Sequence, residues 1–155
     1  MTHRLLLGIL LAASSLTIMA ATAVVPALPL MRDHFGHTGS AELLVPLVIT
    51  LPALAVAVSA PLAGMLADRV DRARLLASGL TLYIAAGASG LLLDSLEGIL
   101  VGRVLLGCAV ACIMTCATAL IVDLWDGSAR KIALGLQASA MGIGGVVFPL
   151  VGGLV

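Results

Sequence analysis

The sequence contains few charged and few aromatic residues. Of its 155 residues only 10% are charged and 3% aromatic, whereas 61% are hydrophobic and the formal net charge is zero. A soluble domain carries about 25% charged residues, so this chain has too little polar surface to cover a water-facing exterior. The balanced charge offers no basic surface for a nucleic acid. An ordinary soluble fold and a nucleic-acid partner are therefore excluded.

Residues that carry enzyme chemistry are also scarce inside the apolar runs. The three histidines lie at the flanks of these runs, and no Asp or Glu stands in the middle of one. The sequence has no Ser-His-Asp set, no P-loop and no Gly-rich dinucleotide turn. A haem or di-metal site in a helical bundle needs ligands within the bundle. We therefore expect no enzyme activity, no catalytic residue, no cofactor and no metal site.

Three cysteines, Cys108, Cys112 and Cys116, recur at a spacing of four on one predicted helix. This spacing places them on one face, but a regular helix does not offer the geometry that a disulfide requires. One interpretation is a metal-binding row of thiols. The other, which we favour, is that cysteine serves as a small apolar residue in a helix surrounded by lipid.

Five apolar runs have the length of a membrane span, which as a helix takes about 20 residues. They cover residues 5–31, 43–67, 75–93, 99–122 and 132–155. None shows the alternating pattern that a membrane β-barrel requires. All connections between the runs are short. The sequence therefore predicts an all-α polytopic membrane protein.

The N-terminal run allows a second interpretation as a cleavable secretory signal, because Arg4 precedes a leucine-rich stretch and small residues follow at 19–23. The apolar run nevertheless continues to residue 30, which is longer than a typical signal core. We favour a retained first helix that Pro26 and Pro29 bend or end.

The orientation follows from the excess of Lys and Arg in cytoplasmic loops. If the N-terminus is cytoplasmic, six basic residues lie on the inner side and only Arg32 on the outer side. The inner set is Arg4, Arg69, Arg72, Arg74, Arg130 and Lys131. We expect a multi-pass plasma-membrane protein, in a bacterium an inner-membrane one, with the charged turn at 64–76 on the cytoplasmic side.

Small residues recur on two of the predicted helices, and in lipid such residues allow close helix packing. The second helix carries Ala53, Ala57, Ala60 and Gly64; the fifth carries Gly135, Ala138, Gly142, Gly145, Pro149 and Gly152, with Gly144 and Gly153 beside them. These stripes predict either permanent packing seams, which the spacing favours, or surfaces for a moving partner. Pro149 predicts a bend or a weak point in the fifth helix.

Arg103 is the only charged residue well inside a predicted span. It lies about 9 Å along the helix from Glu97. An intramembrane charge usually faces a bundle interior or a wet cavity and marks function. The alternative is an arginine that snorkels to the outer headgroups, and depth alone does not distinguish the two.

The charged turn resembles the signature loop of the major facilitator superfamily of transporters. Residues 64–76 read GMLADRVDRARLL, where the family pattern is G-x-L-A-D-R-x-G-R-[R/K]-x-x-L. Asp71 stands in place of the family's glycine, and Ala73 in place of a basic residue. Because Asp tolerates left-handed backbone angles better than most residues, we expect the tight turn to persist.

Two further motifs of the same family follow in order. Arg103 and Gly107 resemble the R-x-x-x-G pattern of the fourth helix, although Leu106 and Ala109 depart from it. The fifth helix resembles the G-x-x-x-G-P-x-x-G-G motif of antiporter branches, with Phe148 in place of the glycine before the proline. The matching positions are Gly144, Pro149, Gly152 and Gly153. The proline-containing end of the first helix also resembles drug-efflux members.

The resemblance implies an alternating-access secondary transporter built from two six-helix bundles. Asp68, Arg69 and Arg72 would then form a gating loop, Gly64 would admit a helix of the opposite half, and Asp123 would pair with Arg72. Arg103, implied to face a cavity near helix one, would bind substrate or tune protonation. The expected partners are the lipid bilayer, a small-molecule substrate and protons.

The resemblance also implies that residues 1–155 are part of an N-terminal transmembrane domain that lacks helix six and the C-terminal half. We expect proton-coupled efflux by the complete protein and none by these residues alone, since they offer no second wall for a substrate pathway. Helix one contains no acidic residue, whereas many proton-driven exporters of the family that the chain resembles carry one there. The alternatives are a non-transporting membrane assembly subunit and an inactive truncated transporter.

Overall fold

A computed structural model describes the backbone of residues 2–22, 41–92 and 96–152. It contains five α-helices: α1 (Thr2–Thr22), α2 (Ala41–Ala67), α3 (Arg72–Leu92), α4 (Leu96–Leu124) and α5 (Gly127–Gly152). No strand occurs in these ranges, and the predicted all-α polytopic class is confirmed. Pro26, Pro29, Gly153 and most of the predicted outer connections lie outside the described residues.

The helices follow the five apolar runs but extend beyond them at their charged ends. α3 begins at Arg72 rather than at residue 75, and α5 begins at Gly127 rather than at residue 132. The predicted starts were too late because apolarity marks only the part of a helix that lies in lipid. Backbone hydrogen bonds continue the helix through the polar layer, where charged side chains are tolerated.

Four helical stretches are long and apolar enough to cross a membrane: His3–Thr22, Thr50–Ala67, Gly98–Leu124 and Gly127–Val151. The described part of α3 is not apolar enough to be counted with these four stretches, because Arg72 and Arg74 lie in its first turn. The fifth span, at residues 75–93, stays a prediction.

Helix α4 is the centre of the bundle and contacts each of the other four helices. It approaches α2 closely at Gly107, where an added Cβ would come within 2.5 Å of the Pro52 carbonyl oxygen. Its approach to α3 is at Gly79, where a Cβ would lie 3.2 Å from the Cβ of Cys112. Helix α1 packs on α4 and on α5. Small residues therefore set the spacing around α4, as expected for helices in lipid.

The buried core surrounds the second half of α4. Ile113, Cys116 and Ile121 of α4 are fully buried and belong to one cluster with residues from all four neighbouring helices. The core cluster consists of Leu10, Ala13, Ala67, Leu75, Leu76, Ile113, Cys116, Ala117, Ile121 and Ala133. This core lies next to the α2–α3 turn and the α4–α5 turn, and so supports the charged groups there.

The outer faces of α2 and α5 are apolar and are not covered by any other described residue. Leu54, Val58 and Leu62 of α2 are each more than half exposed, as are Ile143 and Val146 of α5. In water such a continuous apolar surface would be unfavourable, whereas lipid or another helix covers it without cost.

The two small-residue stripes lie largely on these open faces. Ala53, Ala57, Gly135 and Gly142 are exposed. No described helix packs against these four positions, so the favoured interpretation, a permanent packing seam, stays a prediction for them. Spacing identified the small residues but not the side of the helix on which a neighbour lies.

Candidate functional site

The α2–α3 turn is closed by backbone hydrogen bonds. The Asp68 amide donates to the Gly64 carbonyl at 3.1 Å, and the Val70 amide donates to the Leu66 carbonyl at 2.9 Å. Asp71 directly precedes α3, and its Oδ1 accepts from the Arg74 amide at 2.9 Å. This is the contact of a helix N-cap, which satisfies an amide that has no partner inside the helix.

The role expected of Asp71 is thereby corrected. No non-glycine residue in the described ranges has a positive φ, so Asp71 does not occupy the left-handed region. Asp71, which stands where the family has glycine, caps the following helix. It does not use the left-handed backbone conformation that glycine allows. The tight turn persists for this different reason.

Arg72 joins this turn to the end of α4. Its Nη1 donates to Oδ2 of Asp123, and its Nη2 lies 3.5 Å from Oδ1 of Asp68. Its Nε also donates to the Ala67 carbonyl at 3.2 Å, which holds the guanidinium against the end of α2. We call Asp68, Arg72 and Asp123 the charged latch. The pairing of Arg72 with Asp123 that the sequence analysis expected is present.

The environment of the latch keeps Arg72 charged. The hydrogen bond to Asp123 raises the pKa of the guanidinium above its ordinary value, desolvation opposes this, and the charges of Asp123 and Asp68 add to the increase. The interactions of this cation are present throughout the neutral range, and they are lost only as the pH rises through that higher pKa. The latch therefore does not titrate through its arginine at physiological pH.

The other two residues of the predicted gating loop are placed differently. Arg69 is exposed, and its side chain forms no ion pair with any described residue. At Gly64 an added Cβ would meet nothing within 4 Å. The five helices therefore leave open the space at Gly64 that a further helix would need.

A cavity of about 210 Å³ lies where α1, α2 and α4 meet. Its described walls include Thr17 on α1, Pro52 and Val56 on α2, and Gly107 and Val110 on α4. The described lining is apolar apart from Thr17, whose hydroxyl donates to the Ser14 carbonyl at 2.6 Å. The hydroxyl oxygen can still accept a hydrogen bond. The predicted site residue Gly107 thus has two roles, as a wall of this cavity and as the close contact between α2 and α4.

Arg103 does not line this larger cavity. It borders a smaller one of about 40 Å³, whose other described lining residues belong to α3 and α4, including Gly87 and Ser89. The side chain is partly buried. Arg103 also interacts electrostatically with Tyr83 of α3, whose hydroxyl donates to the Leu16 carbonyl of α1. The position near helix one that the resemblance implied stays a prediction. The partly buried position supports the interpretation that it faces the bundle.

Two predicted site residues of α5 contact α1: Gly144 of the motif and Gly145 of the small-residue stripe. A Cβ on Gly144 would lie 3.5 Å from the Ser15 Cβ, and one on Gly145 would lie 3.4 Å from a methyl group of Ile18. The helix continues through Pro149 to Gly152. Gly144 and Gly145 therefore act as packing residues, and the bend expected at Pro149 stays a prediction.

A group of polar side chains between α1, α4 and α5 was missed by the sequence analysis. Gln137 is 5% exposed and Ser14 is fully buried. The Gln137 Nε2 donates to Ser14 Oγ at 2.9 Å and to Thr118 Oγ1 at 3.1 Å. The available signal was that Gln137 is the only glutamine of the chain and lies inside an apolar run.

The cysteines are free thiols in the α4 core region, with Cys116 fully buried. Among the described residues no group of three or more His, Cys, Asp or Glu side chains is arranged to hold a metal ion. Their placement agrees with the interpretation of cysteine as a small apolar residue.

These features define a polytopic helical membrane protein with a charged turn between its second and third helices. Residues 10–155 match the Major Facilitator Superfamily, and the chain belongs to this family. It is 33% identical over 133 residues to the multidrug efflux pump LfrA of Mycolicibacterium smegmatis, covering 85% of this chain and 26% of that protein. It is 32% identical over 139 residues to the bacillibactin exporter of Bacillus subtilis, covering 85% of this chain and 34% of that protein. The chain thus spans about a quarter to a third of the length of these relatives.

Proposed function

We propose that the complete protein is a secondary transporter that exports small molecules by alternating access. The observation that carries the proposal is the charged latch, in which Arg72 joins the α2–α3 turn to the end of α4. This arrangement occurs in a chain of the Major Facilitator Superfamily. The printed names of two relatives, an efflux pump and an exporter, support the outward direction.

In this proposal residues 1–155 belong to the N-terminal half, with the latch on the cytoplasmic face of the bacterial inner membrane. The basic residues of the inner turns support that orientation. Asp68, Arg72 and Asp123 hold the ends of α2, α3 and α4 together while the cytoplasmic side is closed. Gly64 and the uncovered faces of α2 and α5 receive helices of the opposite half.

The 210 Å³ cavity supports an apolar substrate, or the apolar part of one. Its described walls carry no charge, so they give no reason to select an ionised group. Arg103 is the candidate for coupling transport to protons, because a partly buried cation can change the proton affinity of a nearby group. Helix α1 contains no acidic residue to serve in its place.

The proposal is tested with the complete protein in inverted membrane vesicles from a bacterial host that lacks its own major efflux pumps. Nile red, an uncharged lipophilic dye, is the probe, and its ATP-independent movement is followed with and without a proton gradient. Gradient-dependent transport above that of vesicles without the protein is expected. Equal movement in both vesicle types, repeated with a panel of charged and uncharged dyes, would contradict the transport function.

The second candidate is a membrane assembly subunit that does not transport. The exposed small-residue stripes of α2 and α5 favour it, because they would admit a helix of another protein. Stoichiometric purification with one membrane partner, together with no flux of any dye, is the result that this alternative predicts.

A further inference from the structure

We infer that Gln137 is a positioning residue: it fixes the position of α1, which forms one wall of the apolar cavity. The inference rests on the proposed transport function and concerns residues to which no role has been given above. Ser14, Thr118 and Gln137 are called the amide clamp. They lie on α1, α4 and α5 respectively.

The hydrogen bonds of the amide clamp have a defined direction. The Ser14 hydroxyl donates to the Leu10 carbonyl at 2.8 Å, so its oxygen is left to accept from the amide of Gln137. The Thr118 hydroxyl accepts from Nε2 of Gln137 and also lies 3.4 Å from its Oε1. No side-chain polar atom that is fully buried within the described residues lacks a partner. A glutamine at this depth is therefore satisfied only while α1, α4 and α5 stay together.

The clamp contacts the same helical turn that carries Thr17. Thr17 follows Ser14 by three residues and bonds its carbonyl oxygen, so the two side chains belong to one local unit. Ser14 meets α5 through Gln137, whereas Thr17 borders the cavity together with α2 and α4. A shift of Ser14 would thus move the one hydroxyl on the described wall of the cavity.

Outside the amide clamp α1 has one further directional contact with a neighbouring helix among those the structure describes: the Tyr83 hydroxyl of α3 donates to the Leu16 carbonyl at 2.8 Å. The contact of α1 with α5 also includes Gly144 against Ser15 and Gly145 against Ile18. Such smooth contacts permit a helix to slide or rotate with little change in energy. The bond from Tyr83 ties α1 to α3, and the directional bonds of the amide clamp fix its rotation and register against α4 and α5.

The first test measures access to the cavity wall without relying on transport. Thr17→Cys is placed in the complete protein with Cys108, Cys112 and Cys116 replaced by alanine, and its rate of reaction with N-ethylmaleimide is measured. In the native arrangement Thr17 is 3% exposed, so the reaction is slow. Gln137→Leu is expected to increase the rate by about three- to tenfold. This factor corresponds to the free energy of one or two hydrogen bonds between helices in a membrane. Ser139→Ala is the matched control, since this exposed hydroxyl bonds only to its own helix.

The second test uses the native cysteines and the kinetics of Nile red export. Gln137→Leu and Thr118→Val are each expected to raise the apparent KM by about three- to tenfold, with little change in maximal rate per folded protein. Adding Thr118→Val to Gln137→Leu is expected to change little further, because Gln137→Leu already removes the bond to Thr118. A purely structural clamp would instead lower thermal stability and leave both labelling and KM unchanged, and that result would overturn the inference. If the wild type exports no dye, the proposed function fails, while the labelling rate still decides the inference.

Discussion

Arg72 and Asp123 are 51 positions apart in the chain, and their side chains form an ion pair at the ends of α3 and α4. Asp68 of the preceding turn lies beside the same guanidinium. One arginine thereby connects three helix ends at the surface of the bundle. A connection of this kind can be made or broken by a small relative movement of the helices, without loss of the core.

The first prediction concerns this ion pair. Arg72→Ala in the complete protein is expected to lower Nile red transport several-fold while thermal stability changes little, because exposed ion pairs contribute little to folding. Arg74→Ala is the control, since its side chain forms no ion pair among the described residues. The exchange of charges, Arg72→Asp with Asp123→Arg, should restore part of the transport. Equal rates for the Arg72 and Arg74 variants would show that the pair has no gating role.

The second prediction concerns the open position at Gly64. Since a side chain there meets nothing within 4 Å, Gly64→Leu is expected to leave the folded yield unchanged. It is nevertheless expected to abolish transport, because the leucine would occupy the space proposed for a helix of the other half. Gly8→Leu, also at an open position of a helix, is the matched control. Normal transport by the Gly64 variant would remove this glycine from the site.

The third prediction concerns the contact between α2 and α4. Gly107→Val is expected to destabilise the protein by about 1–3 kcal/mol, as overpacking does in a close-packed interior. The physical reason is that even a Cβ would lie 2.7 Å from the Cβ of Ala55. Thermal unfolding in detergent measures the effect. Gly142→Ala, where nothing lies within 4 Å, should cause no such loss. Equal stability of the two variants would mean that the helices separate freely at this point.

The fourth prediction concerns the cap of α3. Asp71→Ala is expected to cost about 1 kcal/mol in unfolding free energy, the usual cost of losing a helix N-cap. Asp71→Ser should retain most of the stability, because its hydroxyl can accept from the Arg74 amide in place of the carboxylate. Chemical unfolding in detergent compares the two. If serine is as destabilising as alanine, the cap is not the source of the stability.

The fifth prediction concerns Arg103. Arg103→Ala is expected to alter both the rate of dye transport and its dependence on pH, since the partly buried cation faces the small cavity beside α3. Arg103→Lys keeps the charge and should retain more of the normal pH profile. Rates and profiles identical to the wild type would instead favour an arginine that only reaches toward the headgroups.

Much of the architecture could be read from local features. The length of the apolar runs predicted five helices, and the clustered charges at 64–76 located the turn between α2 and α3. The same turn carried the family resemblance, and the family assignment is confirmed. The helix starts at Arg72 and Gly127 were missed because each helix extends beyond the hydrophobic run from which it was predicted.

The packing of the helices could not be read in this way. The spans are apolar on nearly all sides, so hydrophobicity does not indicate which face turns inward. Small residues were a misleading guide, since Gly107 makes a close contact whereas Gly142 faces open space. Gln137 passed unnoticed because its partners, Ser14 and Thr118, lie on two other helices.

The sequence by itself determined that this chain crosses a membrane as helices and where its charged turn lies. Both depend only on residues that are neighbours in the chain. The summed free energy of transferring an apolar run into lipid predicts the helices, and the local excess of charge locates the turn. Only the tertiary structure decided that Arg72 meets Asp123, that Gly107 meets Pro52 and that Gln137 bridges three helices. These contacts join residues distant in the chain, and their energies depend on the rotation and spacing of whole helices.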